Sequence, residues 1–247
     1  MAFGLAWTLV LLAAISCPAI NAHGTQVAVS EIPSIAQVEV RVGTVWIQQC
    51  AGVVLTSVHV LAPASCFYGA LYISANRRFR AGSDKRGDGG SIVEMSHEVN
   101  HPNYGVRGSD SNISVVRLFS ALTLGGNIQQ GQILAQGVSL PAGLPAILYG
   151  WGTTAQGASP SDSNLYRSSL VLTPPCASSF PNQIVTDNMI CAGLPSGSLS
   201  YDARDLGAPI VYDNIVIGIV SFGEASGNQV VAASISSFTN WIVANAV

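Results

Sequence analysis

Short apolar runs, cut apart by glycine, proline and asparagine, leave this chain few folds to choose from. VEVRV at 38–42 alternates apolar and polar residues, as a half-buried strand does. ISVVRL at 113–118, AILYG at 146–150 and IVIGIVS at 215–221 are β-rich runs bounded by turn residues. Glycine-rich connections such as RGDGG at 86–90 and TTAQGASP at 153–160 separate such runs. Many short strands with frequent turn signals predict an all-β barrel or sandwich. One helix is expected, in SSFTNWIVAN at 236–245, where a serine start precedes Phe238, Trp241 and Ile242 at helical spacing. No internal repeat is visible, and a composition shift between Gly125 and Pro145 marks the join of two halves.

The chain has 247 residues, 49% of them apolar and only 9% charged. Such a chain buries a large core and is not disordered. A net charge of −3 gives no footprint for nucleic acid. Lys85 is the sole lysine among ten basic residues. Arginine keeps its charge in alkaline surroundings such as a gut lumen, although drift in composition explains the bias as well. The apolar run Trp7 to Ile15 is too short to span a bilayer, and mostly small residues follow it from Ser16 to Ala22. We read residues 1–22 as a signal peptide cut after Ala19 or Ala22, although no Lys or Arg precedes the run. Residues 23–247 then form a secreted, soluble, monomeric protein without a membrane span.

Cys17 leaves with the signal, so Cys50, Cys66, Cys176 and Cys191 remain. Four cysteines in a secreted chain imply two disulfides with three pairings open, and the spacings favour Cys50–Cys66 and Cys176–Cys191. A zinc site is the weaker reading, because no C-x-x-C pair or nearby histidine cluster exists. His97 and His101 stand four apart in SHEVNH, but the segment runs into Pro102 and reads as strand and turn. RGDGG lacks the strand–loop–helix setting and the lysine of a phosphate loop. No cofactor is expected.

Seven ordered stretches point further: IPSIAQVE at 32–39, HPNY at 101–104, NISVVRL at 112–118, GWGTT at 150–154, TDNMICAG at 186–193, GIVSFG at 218–223 and TNWIVANA at 239–246. Through them the chain resembles the chymotrypsin-like serine proteases, most closely the trypsin-like digestive proteases of moth and butterfly larvae, over almost the whole of 32–247. The resemblance implies two antiparallel six-stranded β-barrels and a C-terminal helix, with a site in the cleft between the barrels. It transfers a fold, not a function, so each site position stands on its own chemistry.

The family's general-base histidine precedes the second cysteine of the first disulfide, which places Ser65 of APASC at that position. A serine hydroxyl accepts no proton near neutral pH. His59, seven residues before Cys66, matches an ordinary strand residue of the family. The orienting aspartate matches Asn112 of DSNI, with Asp110 two residues away. An amide does not stabilise an imidazolium. Asn112 also opens a glycosylation sequon, and the resemblance buries it in the cleft. Counting from Cys191, the nucleophile falls on Leu206 of RDLGAP, which has no nucleophilic atom. The glycine whose amide helps form the oxyanion hole becomes Arg204, the second glycine after the nucleophile becomes Ala208, and the specificity-pocket aspartate becomes Ser200. The family's third disulfide is missing: Asp202 takes one end, Ala225 or Ser226 the other, and a looser pocket is expected. No basic residue precedes Arg41, so the usual activation cut has no site. Asp205, which the family pairs with the new amino terminus, is expected to be solvated or paired with Arg204. Cleavage after Ala19 would offer Ile20 as a substitute terminus.

These residues lead to the expectation of a secreted, inactive protease homologue that binds a protease inhibitor, a protease, a substrate protein or a glycan. A trypsin-like endopeptidase and a structural or nutrient protein are the alternatives.

Overall fold

The computed structural model describes residues 24–152, 162–174, 179–194, 201–223 and 229–247. The described chain begins with a short strand, β1 (Thr25–Gln26), followed by the six strands of a first barrel. These are β2 (Ile35–Val42), β3 (Val45–Thr56), β4 (His59–Ala62), β5 (Arg77–Ala81), β6 (Ser91–Asn100) and β7 (Ser114–Leu118). They close in the order β2–β3–β4–β7–β6–β5, all antiparallel. Residues 119–144 lead to the second barrel and contribute β8 (Gln132–Ile133), which adds in parallel to a strand of that barrel.

The second ring is β9 (Pro145–Gly150), β10 (Tyr166–Leu172), β11 (Met189–Gly193), β14 (Gln229–Ser234), β13 (Ile215–Gly223) and β12 (Pro209–Tyr212), each antiparallel to the next and β12 back to β9. β1 lies on the outside of β10. The helix α1 spans Ile235–Asn245 and buries Phe238 and Ile242. The His101 ring sits 5.1 Å from the Phe238 ring and 4.9 Å from that of Trp241, so the second barrel's helix is docked against the end of β6. No described helix is long and apolar enough to cross a membrane.

Burial explains both rings. Val38, Val54, Val60, Phe79 and Val116 fill the first barrel. Leu148, Leu170, Ile210, Ile217 and Ile219 fill the second, and Ala51, Val53, Leu61 and Ile113 of the first barrel join that cluster. The faces that meet across the cleft floor are therefore apolar, and removing them from water holds the barrels together. The alternation in VEVRV is broken at Val42, which is exposed, and at Glu39. Glu39 stands at a polar position yet is fully buried, because Arg78 Nε and Arg80 Nε donate to its two carboxylate oxygens at 2.5 and 2.6 Å. A buried charge of this kind survives only when paired.

Candidate functional site

Cys50 of β3 and Cys66 form a disulfide, and this fixes Ser65 at the cleft. Ser65 lies in a 3-10 turn, Ala64–Phe67, entered through Pro63. Its amide donates to Asn112 Oδ1 at 2.8 Å. Its hydroxyl is buried without a well-formed hydrogen bond, beside Tyr104.

Asn112 stands just before β7 and follows Ser111, whose φ of 56° is a left-handed conformation. The Asn112 side chain is buried, and its Nδ2 donates to Ser221 Oγ of β13 at 2.9 Å. The amide thus joins a turn of the first barrel to a strand of the second. Ser221 belongs to the GIVSFG stretch, but nothing local in the sequence ties it to a residue 109 positions earlier. Asp110 turns the other way and accepts from Thr186 Oγ1 at 2.8 Å and from Asn188 Nδ2. His59 lies in β4 opposite Arg117, with Nδ1 bonded to Thr56 Oγ1 at 2.9 Å and Nε2 against the Arg117 guanidinium at 3.3 Å. Burial first, and the Arg117 charge second, push its pKa down. Both of its ring nitrogens are engaged within the first barrel.

The loop carrying Leu206 is closed by its own side chains. Residues Ala203–Asp205 form one 3-10 turn capped by Asp202. The Asp202 carboxylate accepts from the Arg204 amide at 2.9 Å, and the Arg204 guanidinium folds back onto both oxygens of Asp202, at 2.5 and 3.0 Å. In return Asp205 Oδ2 accepts from the Asp202 amide at 3.1 Å, completing a reciprocal capping box. The Leu206 amide donates to the Ala203 carbonyl at 3.3 Å. The Leu206 side chain is half-buried and packs against the apolar cluster of the first barrel. Its carbonyl accepts from the Ala51 amide at 2.7 Å, which ties the loop to β3. Gly207 has φ +84°, and a Cβ there would run into the Ala51 carbonyl and into Pro63 Cδ. Only glycine fits there.

Asp205 corrects one expectation. It is neither solvated nor paired with Arg204, whose guanidinium belongs to Asp202. The Asp205 carboxyl is buried and accepts from the amides of Gly152 (2.9 Å) and Asp202. A side chain at Gly152 would occupy the carboxylate's own space. Desolvation is the largest influence and pushes the Asp205 pKa up to about 7, against the backbone donors, which act to lower it. The fit between GWG and RDLGAP across 53 residues is not readable from spacing alone.

Ser200, Cys176, Ala225 and Ser226 lie outside the described residues. Cys191 is disulfide-bonded. His97 and His101 do not face each other as a pair: His97 lies in β6 opposite Arg117, and His101 is packed on α1. Among the described residues no group of three or more His, Cys, Asp or Glu side chains is placed to hold a metal ion.

The family model described as Trypsin matches residues 22–242. The chain is 30% identical over 229 residues to "Trypsin, alkaline A" of Manduca sexta, covering 89% of this chain and 88% of that one. It is 30% identical over 207 residues to "Trypsin CFT-1" of Choristoneura fumiferana, covering 81% and 80%. Among solved structures it resembles the scabies mite inactivated protease paralogue S-I1, with a TM-score of 0.78 at 19% identity over 90% of this chain and 97% of that one. Mouse neuropsin matches with a TM-score of 0.76 at 23% identity over the same shares. At these identities the two structures speak for the fold. The two antiparallel barrels, the matched family model and the relatives at 30% identity together place this chain in the trypsin family.

Proposed function

We propose that this trypsin-family chain is catalytically silent and works by binding a protein through its cleft. One observation carries the reading: the groups that would have to react are spent on holding the fold. Trypsin-like chemistry needs a nucleophile, a base, an orienting acid and two free backbone amides for the oxyanion. We assign those positions to Leu206, Ser65, Asn112 and the amides of Arg204 and Leu206. Leu206 offers a hydrocarbon, Ser65 a hydroxyl that accepts no proton near neutral pH, and the Asn112 amide is held between the Ser65 amide and Ser221. The Arg204 amide is taken by Asp202 and the Leu206 amide by Ala203. Loss of a nucleophile alone removes roughly a million-fold of rate in a triad enzyme, and the residual rate comes from the oxyanion hole. What supports binding is that the apolar residues shared by the two barrels, Ala51, Val53, Leu61 and Ile113 among them, stay packed beneath the cleft. The partners that fit such a surface are a protease inhibitor, a protease or a protein substrate. The Cys50–Cys66 disulfide fits an oxidising, extracellular setting.

The competing reading is a trypsin-like endopeptidase, favoured by the printed names of the relatives. The test is turnover of a peptide library by the purified chain. We expect none above buffer. Turnover that persists through repurification to constant specific activity overturns the proposal.

A further inference from the structure

The RGDGG loop between β5 and β6 is clamped by buried side chains, and the clamp reaches the peptide bond between Asp88 and Gly89. Gln37 of β2, fully buried, donates from Nε2 to the Lys85 carbonyl at 2.8 Å and accepts from the Gly87 amide at 2.9 Å. Ser83 is buried too, and the Asp88 carbonyl is the nearer of the two acceptors of its hydroxyl, at 2.6 Å against 3.2 Å for the Lys85 carbonyl. Arg80 Nη1 donates to the Gly89 carbonyl at 2.5 Å. The Asp88 residue itself is exposed, and its Oδ1 accepts from the Gly89 amide at 2.9 Å. The side-chain carboxyl of one residue thus rests against the main-chain nitrogen of the next. Gly89, at φ +65°, puts no Cβ beside that nitrogen; one there would lie 3.2 Å from Ser83 Oγ. Asp88–Gly89 is the sole Asp–Gly pair of the chain, and Asn–Gly does not occur.

A carboxyl, a following amide nitrogen and no side chain between them are the parts of a succinimide closure. The Gly89 nitrogen, as its proton passes to water, attacks Asp88 Cγ. A C–N bond forms, and the protonated carboxyl loses its OH as water. The Ser83 hydrogen bond draws electron density onto the Asp88 carbonyl oxygen, which makes the attached N–H more acidic. The same bond then activates the former main-chain carbonyl towards hydrolysis. Water adds there, that carbon parts from the nitrogen, and the chain runs on through Cβ and Cγ as isoaspartate. Addition at the other carbonyl returns aspartate. Water is the only co-reactant.

We propose that Asp88–Gly89 is a self-modifying site, which passes through a succinimide to isoaspartate in the folded protein, promoted by the Ser83 hydroxyl. The new main chain is longer by one carbon, so the Gly89 carbonyl moves off Arg80 Nη1. Arg80 is itself buried, and its Nε holds the Glu39 carboxylate at 2.6 Å. A change in an exposed loop therefore loosens the pairing of a buried charge in the first barrel. The site lies outside the triad positions and does not depend on whether the cleft is silent.

The test is ageing of the purified, folded chain, kept warm at mildly alkaline pH for several days. Isoaspartate is read by electron-transfer fragmentation of peptides and by methyl uptake with a protein isoaspartate methyltransferase. We expect it at Asp88, preceded by a species lighter by one water. Ser83→Ala should slow its formation about fivefold in the folded chain, the worth of one hydrogen bond. In urea the two chains should age alike, which separates the effect of the hydroxyl from that of the altered residue. Asp88→Glu should form none, because its ring would have six members. The aged parent, separated by ion exchange, should melt about 2–4 °C below the fresh one. Absence of isoaspartate at Asp88 in the folded chain overturns the proposal. So does an equal rate in folded Ser83→Ala, or an aged chain that melts with the fresh one.

Discussion

The Ser65 amide donates to Asn112 Oδ1 at 2.8 Å, joining through a backbone group the two positions that the resemblance assigns to a histidine and an aspartate. The same carboxamide donates from Nδ2 to Ser221 Oγ. The Asn112 carboxamide thereby ties a turn of the first barrel to β13 of the second.

Asn112→Ala should cost about 2–4 kcal/mol, since it leaves the buried Ser65 amide and Ser221 hydroxyl without their partner. Asn112→Asp should cost less, because the Ser221 hydroxyl can turn to donate. Urea denaturation of both variants checks the order. The same burial keeps the NIS sequon unglycosylated once folded. Intact mass of protein secreted from eukaryotic cells should show no N-glycan at Asn112.

Placing a histidine, an aspartate and a serine at the three positions we assign to a triad should not give a protease. We expect Ser65→His, Asn112→Asp, Leu206→Ser together to give no measurable hydrolysis of tripeptide amide substrates. The Arg204 amide remains taken by Asp202, and a missing oxyanion donor costs about 10²–10³ in rate. Adding Asp202→Ala and Arg204→Gly frees that amide. If any variant gains turnover it should be this five-fold one, and a burst of activity in the triple variant would show that the loop opens readily.

Asp205 makes stability fall as pH rises. Its folded-state pKa is about 7 and its ordinary value 3.8, so between these the native state holds a proton that the unfolded chain has released. The contribution is complete below the ordinary value, declines as pH climbs through this window and is gone above about 7. Thermal midpoints measured from pH 4 to 8 should fall accordingly. Asp205→Asn should flatten that slope, whatever it does to the absolute midpoint.

Gly207→Ala should destabilise by at least about 2 kcal/mol, from positive φ and from the collision with the Ala51 carbonyl together. Gly43→Ala is the matched control: it has positive φ but open space around it, so only the backbone cost of about 1 kcal/mol is expected. The difference in midpoint between the two variants measures the crowding alone.

The strands were legible because each carries its own pattern. VEVRV lies in β2, AILYG in β9 and IVIGIVS in β13, and the helix starts one residue before the predicted serine. Counting along the chain from Cys191 is what assigns the nucleophile position to Leu206 in our proposal. What stayed hidden was contact between distant segments. Glu39 looked like a solvent-facing acid until Arg78 and Arg80, about forty residues on, were brought beside it. The Gly152 cage around Asp205 and the hold of Ser221 on Asn112 are hidden for the same reason. No local periodicity encodes a meeting that tertiary packing creates.

Leu206 has a practical consequence. Surveys that count serine proteases in a fluid by fluorophosphonate labelling rely on a nucleophilic oxygen, and on our proposed assignment of that position to Leu206 they find nothing to tag. Antibody or mass-spectrometric abundance would register the chain where such a reagent reads zero. The gap between those two readings would serve as its assay in a crude sample.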